Sequence, residues 1–505
     1  MSFEKDQDVI KDQSSSVSIR NIEQYDISDY DNALAYLKNQ DQNENIRADV
    51  KRITKKLDMI ILPILCGIYL LQFLDKSLLN YSAAMGIKTN LKNNEFANLS
   101  TIFYASYIFG EPFISYCLQK FPIGRTLGVF IILWGIVISC HSACKTYASL
   151  MVVRTLLGIF ESSSTVGIII ISGMYYSKPQ QVSRMGIWAL NAGTATIIGS
   201  LLSFGFQHIQ NSQFQSWQIL FLAMGVITIV YGIFVIFYLP NNIESVWFLK
   251  PNEKIYLLQN VIKPNQTGTI NYKFKKEQIL ELFSDKFTWL YLLLCICSQI
   301  VTGSIGTFSV TITLTFGFDS YQSALLQIPI GVLIIIIIIA STQLVFYVKN
   351  ITYVMMSMFI PTIIGAIVLI ISPSKIGNLL SLYLLYSGSC SITLIYYWIS
   401  CNTAGSSKKF FRSGLIMIGF SISCIIGPQL FQSYSAPNYI IAKIVILITQ
   451  VLCVPLTYIL GYLLKRENET RDKLKNEGHG EHELKENFEW MDLTDIENKN
   501  FRYFY

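Results

Sequence analysis

The stretch LDMIILPILCGIYLLQFLDKSLLNYSAA, residues 57–84, is longer and more continuously apolar than a soluble helix needs, yet it sets Asp75 beside Lys76. A block of at least ~18 apolar residues reads as a membrane span, because at 1.5 Å per residue it crosses the hydrocarbon core. Eleven further blocks follow, near 97–117, 126–142, 150–174, 184–206, 217–239, 288–310, 323–347, 353–371, 379–401, 413–433 and 438–464. The chain has 505 residues, 52% hydrophobic against 14% charged, and its apolar residues lie in blocks instead of short alternations. That pattern predicts an all-α polytopic membrane protein of twelve transmembrane helices.

Lys and Arg set the orientation, since cytoplasmic loops keep cations. One alternate set of loops holds Lys120, Arg125, Lys178, Arg184, Lys250, Lys254, Lys408, Lys409, Arg412 and others, whereas the opposite set holds Lys88, Lys92, Lys145 and Lys375. Both termini are therefore expected in the cytoplasm. The net charge of +6 is mostly this topological signal, so no nucleic-acid partner is implied. The ten cysteines fall in or at the ends of spans, where a thiol serves as a small apolar group. No disulfide framework or metal site follows from them, and His479 and His482 read as part of an exposed acidic tail. The polar first fifty residues show no cleavable signal peptide.

The longest internal connection, 240–287, divides the spans six and six. The expected organisation is a disordered cytoplasmic tail over 1–56, a six-helix bundle over 57–239, a cytoplasmic loop over 240–287, a second bundle over 288–464 and a cytoplasmic tail over 465–505. Two bundles with a site between them suit a carrier. No phosphate loop of the G-x-x-x-x-G-K-[ST] type occurs, so an ion gradient or the substrate itself must supply the energy.

Four charges lie within the spans: Asp75 and Lys76 in the first, Arg154 and Glu161 in the fourth. Each costs roughly 2.5–3.5 kcal/mol at the bilayer centre and needs a partner or a task. Successive helix residues point about 100° apart, so Asp75 and Lys76 cannot neutralise each other across one face. Counting from the cytoplasmic ends puts Asp75 ~27 Å, Arg154 ~30 Å and Glu161 ~20 Å deep. Asp75 and Arg154 are thus candidates for a pair, and Glu161 is left without a cation at its depth. A structural charge network is one reading. The other is a proton site, because an intramembrane carboxylate without a matched base can take up a proton. The four charges sum to zero, so an entering anion held by Lys76 or Arg154 calls for a proton to restore neutrality.

At these residues the chain resembles a known family. FLDKSLLNYSAAMGI (73–87), FPIGRTLG (121–128), RTLLGIFES (154–162), WQILFLAMG (217–225), NQTGTINYKFKKEQILELFSD (265–285), SCNTAGSSKKF (400–410) and DLTDIENKNFRYF (492–504) are similar to the fungal allantoate permease group. That group belongs to the anion:cation symporters of the major facilitator superfamily. The resemblance implies the two-bundle major facilitator fold and proton-coupled uptake of a small organic anion across a fungal plasma membrane. The cargo types it implies are ureides, vitamins, short peptides and sulfonates. It also implies that Asp75 and Glu161 exchange protons and that Lys76, with Arg154, serves the substrate carboxylate and the acidic pair. Lys76 stands where the related bacterial sugar-acid carriers have Arg, which exchanges a bidentate fork for a point charge.

The second bundle offers polar and aromatic candidates for its share of the cavity: Gln299 and Thr302 in the seventh span, Tyr396, Tyr397 and Trp398 in the tenth, and Asn402 just beyond. Trp and Tyr also serve as plain interfacial anchors. Arg125 and Arg184 are expected to latch the cytoplasmic side or to act as topogenic cations. Lys408 and Lys409 are expected at the cytoplasmic surface. The reading is a non-enzymatic symporter without cofactor or metal beyond the coupling proton, with a bilayer and a small organic anion as partners, working as a monomer. A nutrient sensor of the same fold and a facilitative carrier for a neutral solute are the alternatives.

Overall fold

Long apolar segments must satisfy their backbone internally, and helices do so without outside partners. The computed structural model describes residues 50–87, 91, 95–209, 214–257, 275–315, 317–371, 374–430, 440–476 and 492–505. Most of the expected N-terminal tail, the middle of the 240–287 loop, His479 and His482 lie outside the described residues.

Among the described residues eleven helical segments are long and apolar enough to cross a membrane. These are Lys51–Ala83, Ile123–His141, Tyr147–Tyr175, Ser183–Gln207, Ser216–Tyr238, Lys286–Thr307, Tyr321–Val348, Ile351–Ile371, Lys375–Cys401, Ser406–Gln429 and Ile440–Lys475. The second span, Glu95–Lys120, is long enough at 26 residues but more polar, with Glu111 and a row of serines and tyrosines. Together they form the twelve spans in two six-helix bundles.

Within the first bundle the third span packs on the sixth and the second on the fourth; within the second the ninth packs on the tenth and twelfth, and the seventh on the eleventh. The bundles meet where the first span crosses the seventh, the second the eleventh, and the fifth the eighth. At the last crossing a Cβ on Gly193 would lie 2.4 Å from the Gly331 carbonyl oxygen, and one on Gly331 would lie 2.6 Å from that of Gly193. The missing side chains let two backbones touch. Outward-facing Val226, Phe237 and Ile336 are exposed, which suits a lipid surround.

Four spans are each interrupted at one residue: the fourth at Ser162, the fifth at Leu190, the eighth at Leu326 and the tenth at Cys390. Each junction keeps right-handed helical angles, so the helical path continues through it. In the fourth the cause is chemical. The hydroxyls of Ser162, Ser163 and Ser164 donate back to the carbonyls of Ile159, Phe160 and Glu161 at 2.8, 3.0 and 2.6 Å, and such back-bonding bends helices. The interruption therefore falls directly after Glu161.

The bundles are joined at both ends. At one end Asn80 Nδ2 donates to Ser309 Oγ at 2.9 Å and Gln429 Nε2 to Thr101 Oγ1 at 3.0 Å. At the other, Gln119 Nε2 donates to Ser407 Oγ at 2.8 Å and Ser400 Oγ to Gln181 Oε1 at 2.9 Å. The chain's last residues dock at this second end, hereafter the tail end.

Candidate transport site

Two adjoining cavities lie between the bundles, of ≈ 110 and ≈ 90 Å³, and share Phe73, Ser77, Asn80, Thr302, Gly306 and Phe420. The larger is walled by neutral groups, among them Tyr69, Gln299, Gln327 and Tyr386. Lys76 and Arg154 line the smaller. One chamber is thus cationic and the other uncharged but rich in hydrogen-bonding groups, and a ligand spanning both would meet a different chemistry at each end.

Lys76 is held by its surroundings. Its ammonium lies 5.5 Å from the ring centre of Tyr107, 5.3 Å from that of Phe420 and 5.9 Å from that of Phe73, each an attractive quadrupole. Its Nζ is 3.7 Å from Glu161 Oε1. The expectation that Glu161 lacks a cation is corrected by this contact. The depth gap between the two Cα atoms is bridged by the lysine's four-carbon stem. Glu161 is fully buried, and neither of its oxygens has a hydrogen-bond partner, so the ion pair is its main anchor.

The expected Asp75–Arg154 pair does not form. Asp75 turns away from the cavities toward the third span, with the Trp134 indole beside it, and neither of its oxygens has a hydrogen-bond partner. Arg154 instead lies 5.6 Å from the Phe221 ring centre. One turn below Asp75, Gln72 Oε1 accepts from Thr165 Oγ1 at 2.9 Å, tying the first span to the fourth just past its interruption. Where the fourth span meets the second, a Cβ on Gly158 would stand 2.2 Å from both the Phe103 carbonyl oxygen and Ser106 Oγ. Only a glycine permits that approach.

A fifth charge, Glu111, is buried at 1% exposure midway along its span and joins the four read from the sequence. Its signal is plain in FGEPFIS, 109–115, a carboxylate in the middle of a span. The balance of four charges is therefore corrected. Among these five, three carboxylates accompany two cations, and the five are neutral together when one carboxyl holds a proton.

Gln299 lines the larger chamber, with Oε1 accepting from Thr302 Oγ1 at 2.7 Å and Nε2 donating to Ser391 Oγ at 3.2 Å. Tyr396 and Tyr397 were expected in the cavity and line neither chamber; the Tyr396 hydroxyl is 3.7 Å from Met417 Sδ and its ring stacks 6.3 Å from Trp188 of the other bundle. Trp398 and Asn402 were expected in the cavity and line neither chamber. They hold the chain's end: Trp398 Nε1 and Asn402 Nδ2 both donate to the Phe504 carbonyl at 2.8 Å, and the Phe504 N–H donates to Asn402 Oδ1 at 2.7 Å. The reason is geometric, since the tenth span carries these two residues beyond its cavity-facing turn to the tail end.

Arg184 forks onto Asp58 at 3.1 and 2.7 Å, a clasp between the fifth and first spans inside one bundle. Arg125 is exposed, and its backbone N–H donates to Asn241 Oδ1 at 3.2 Å. Lys408 and Lys409 were expected at the surface and are buried. Lys408 Nζ lies 2.8 Å from Glu281, 2.8 Å from Asp495 and 3.3 Å from Asp285, and Arg412 pairs with Asp285. Of these partners the tail supplies Asp495. Tyr503 Oη donates to Asp495 Oδ2 at 2.9 Å, and Arg471 Nη1 donates to the carbonyls of Asp495 and Phe501 at 3.1 and 2.9 Å.

Comparison with known proteins agrees with this architecture. The chain is 58% identical over 457 residues, 90% of its length and 86% of the relative's, to the thiamine pathway transporter THI73 of Saccharomyces cerevisiae. It is 31% identical to the allantoate permease of the same yeast, over 90% of this chain and 86% of that one. Among solved structures, the proton:xylose symporter XylE superposes with a TM-score of 0.65 at 11% identity, covering 79% of this chain and 94% of that one, a likeness of fold. The family model described as Major Facilitator Superfamily matches residues 65–428, and the chain accordingly belongs to that superfamily of membrane transporters.

Proposed function

We propose that this protein is a proton-coupled symporter of a small organic anion, of the kind found in the allantoate permease family, working by rocking of its two bundles about the paired cavities. The observation that carries the reading is Lys76, which lines the smaller cavity while its ammonium rests 3.7 Å from Glu161. An incoming carboxylate competes with Glu161 for Lys76. When it takes the lysine, Glu161 is left as an unpaired buried carboxylate, and a proton removes that cost. Cargo and proton thus enter together. Moving a lone anion into a negative interior costs ~2.3 kcal/mol per 100 mV, and one proton cancels this. Asp75 is the second proton site, and Arg154, Gln299 and the amides beside it orient the cargo.

The relative named for the thiamine pathway supports a vitamin or vitamin-precursor cargo. Lys76 and Arg154 in the cavity wall favour a carboxylate over the thiazolium cation of thiamine itself. On this reading the protein sits in the plasma membrane with both termini cytoplasmic, as the distribution of loop cations favours. The test is uptake by a transporter-deleted cell and by vesicles of labelled vitamins, thiamine included, and of ureides, dipeptides and sulfonates, with and without an imposed pH gradient. Accumulation of an anion driven by external acid is the expected result. Uptake indifferent to the gradient sinks the coupled reading, and binding without uptake supports a sensor instead.

A further inference from the structure

The second span carries a row of side chains that the symport reading leaves unused. Tyr107, Glu111, Ser115 and Gln119 recur every four residues and so lie along one helix face. Each is 1% exposed. They look across the bundle interface at the eleventh span. Tyr107 Oη is 3.9 Å from Met417 Sδ, and a Cβ on Gly414 would lie 2.8 Å from Ser115 Oγ and 3.3 Å from Glu111 Oε1. Gln119 Nε2 donates to Ser407 Oγ at 2.8 Å.

This face runs from the transport site to the tail end. It begins under the Lys76 ammonium, 5.5 Å from the Tyr107 ring centre, and the Tyr107 hydroxyl donates to the carbonyl of Ser162, the residue after Glu161, at 3.4 Å, within electrostatic reach of both Glu161 and Glu111. Glu111 lies nine residues, ~14 Å, from Lys120 at the tail end of its helix, whereas Glu161 lies fourteen residues, ~21 Å, from Tyr175 at the end of its own. Glu111 is thus the nearer of the two to the tail-end surface. It receives one long bond, from Ser115 Oγ at 3.5 Å, and its Oε2 has no hydrogen-bond partner. A carboxyl with so little fixed solvation contributes poorly as a structural strut.

We propose that Glu111 is the tail-side proton relay of this transporter, receiving the proton from Glu161 by way of the Tyr107 hydroxyl and releasing it past Ser115 and Gln119 when the second and eleventh spans part. The proposal rests on the proton-coupled reading above. In the transfer Glu161 loses a proton and returns as a carboxylate to Lys76, while Glu111 becomes a neutral carboxyl, so the charge of the buried set is unchanged. Separation of the bundles then admits water to the Gly414 contact, and Glu111 gives its proton to that water. The charged and titratable groups within electrostatic reach of Glu111 are Lys76 from the first span and Tyr107 on its own helix.

The test needs no cargo. The full-length protein is oriented in phospholipid vesicles, the pH on the tail side is jumped, and the carbonyl stretch of protonated carboxyls is followed by time-resolved infrared difference spectroscopy. One band is expected to vanish in Glu111→Gln and to persist, shifted, in Glu111→Asp. A second band, assigned by Glu161→Gln, is expected to respond roughly a hundredfold more slowly in Glu111→Gln, the lower end of what a positioned acid–base group contributes. Wild-type bands and rates in Glu111→Gln overturn the relay. If Glu111→Gln fails to fold, Ser115→Ala reads the same rate: slowing supports the relay and wild-type speed overturns it. If Glu161→Gln alters no band while Glu111→Gln does, the coupling role of Glu161 is what fails, and Glu111 stands as a tail-side proton group.

Discussion

Lys76 Nζ and Glu161 Oε1 stand 3.7 Å apart, joining the first span to the fourth at its interruption, with the lysine on the cavity wall and the glutamate sealed behind it. The contact is longer than a hydrogen bond. It is an ion pair that a ligand oxygen can outcompete.

Neutralising the acid while keeping its shape separates coupling from passage. Glu161→Gln is expected to abolish acid-driven accumulation while exchange of cargo across the membrane survives, measured by efflux and counterflow in vesicles. Full accumulation by the variant removes Glu161 from the coupling step.

Removing the base acts on cargo affinity. A charged hydrogen bond to a carboxylate contributes ~1.5–3 kcal/mol, so Lys76→Ala should raise KM about ten- to a hundredfold, with a smaller effect on the maximal rate. Lys76→Arg restores the charge but not the point geometry and should fall between. A KM unchanged in Lys76→Ala would place the cargo elsewhere.

Gly158 tests the packing behind the pair. A valine there puts its Cβ 2.2 Å from backbone and hydroxyl oxygens of the second span, and overpacking costs typically ~1–3 kcal/mol. The thermal unfolding midpoint in detergent should drop, and transport should fall by the same factor at every pH. A selective change in pH dependence would show that the glycine serves coupling instead.

The docked tail has its own pH dependence. Burial pushes the Asp495 carboxyl up, but Arg412 and Lys408 beside it outweigh this and hold it below the usual carboxylate range. A group depressed in the docked state stabilises docking above its free value, ~3.9, and loses that contribution as pH falls through the docked value. Protection of 492–505 from limited proteolysis should therefore persist from neutral pH down to about 4 and disappear below. Asp495→Asn leaves Lys408 and Arg412 short of one counter-charge and should expose the tail even at pH 7. Equal protection in this variant would show that the aromatic and backbone contacts of Phe501, Tyr503 and Phe504 hold it alone.

The sequence alone determined the class of molecule and the number of spans, because a bilayer demands runs of apolar residues whose length is visible without any fold. It also marked Asp75, Lys76, Arg154 and Glu161, since a charge in hydrocarbon is conspicuous wherever it points; Glu111 was equally visible in FGEPFIS. Which charges meet was decided by tertiary structure. Helix rotation turned Asp75 toward Trp134, the lysine stem crossed the depth gap to Glu161, and the serine back-bonds set the interruption directly after Glu161. Trp398, Asn402 and Lys408 could not be placed from local sequence, because their partners lie about a hundred residues away, in the tail for Trp398 and Asn402 and, for Lys408, in both the tail and the segment before the seventh span. Contacts of that range depend on how the bundles and the chain's end pack together, and no local pattern encodes them.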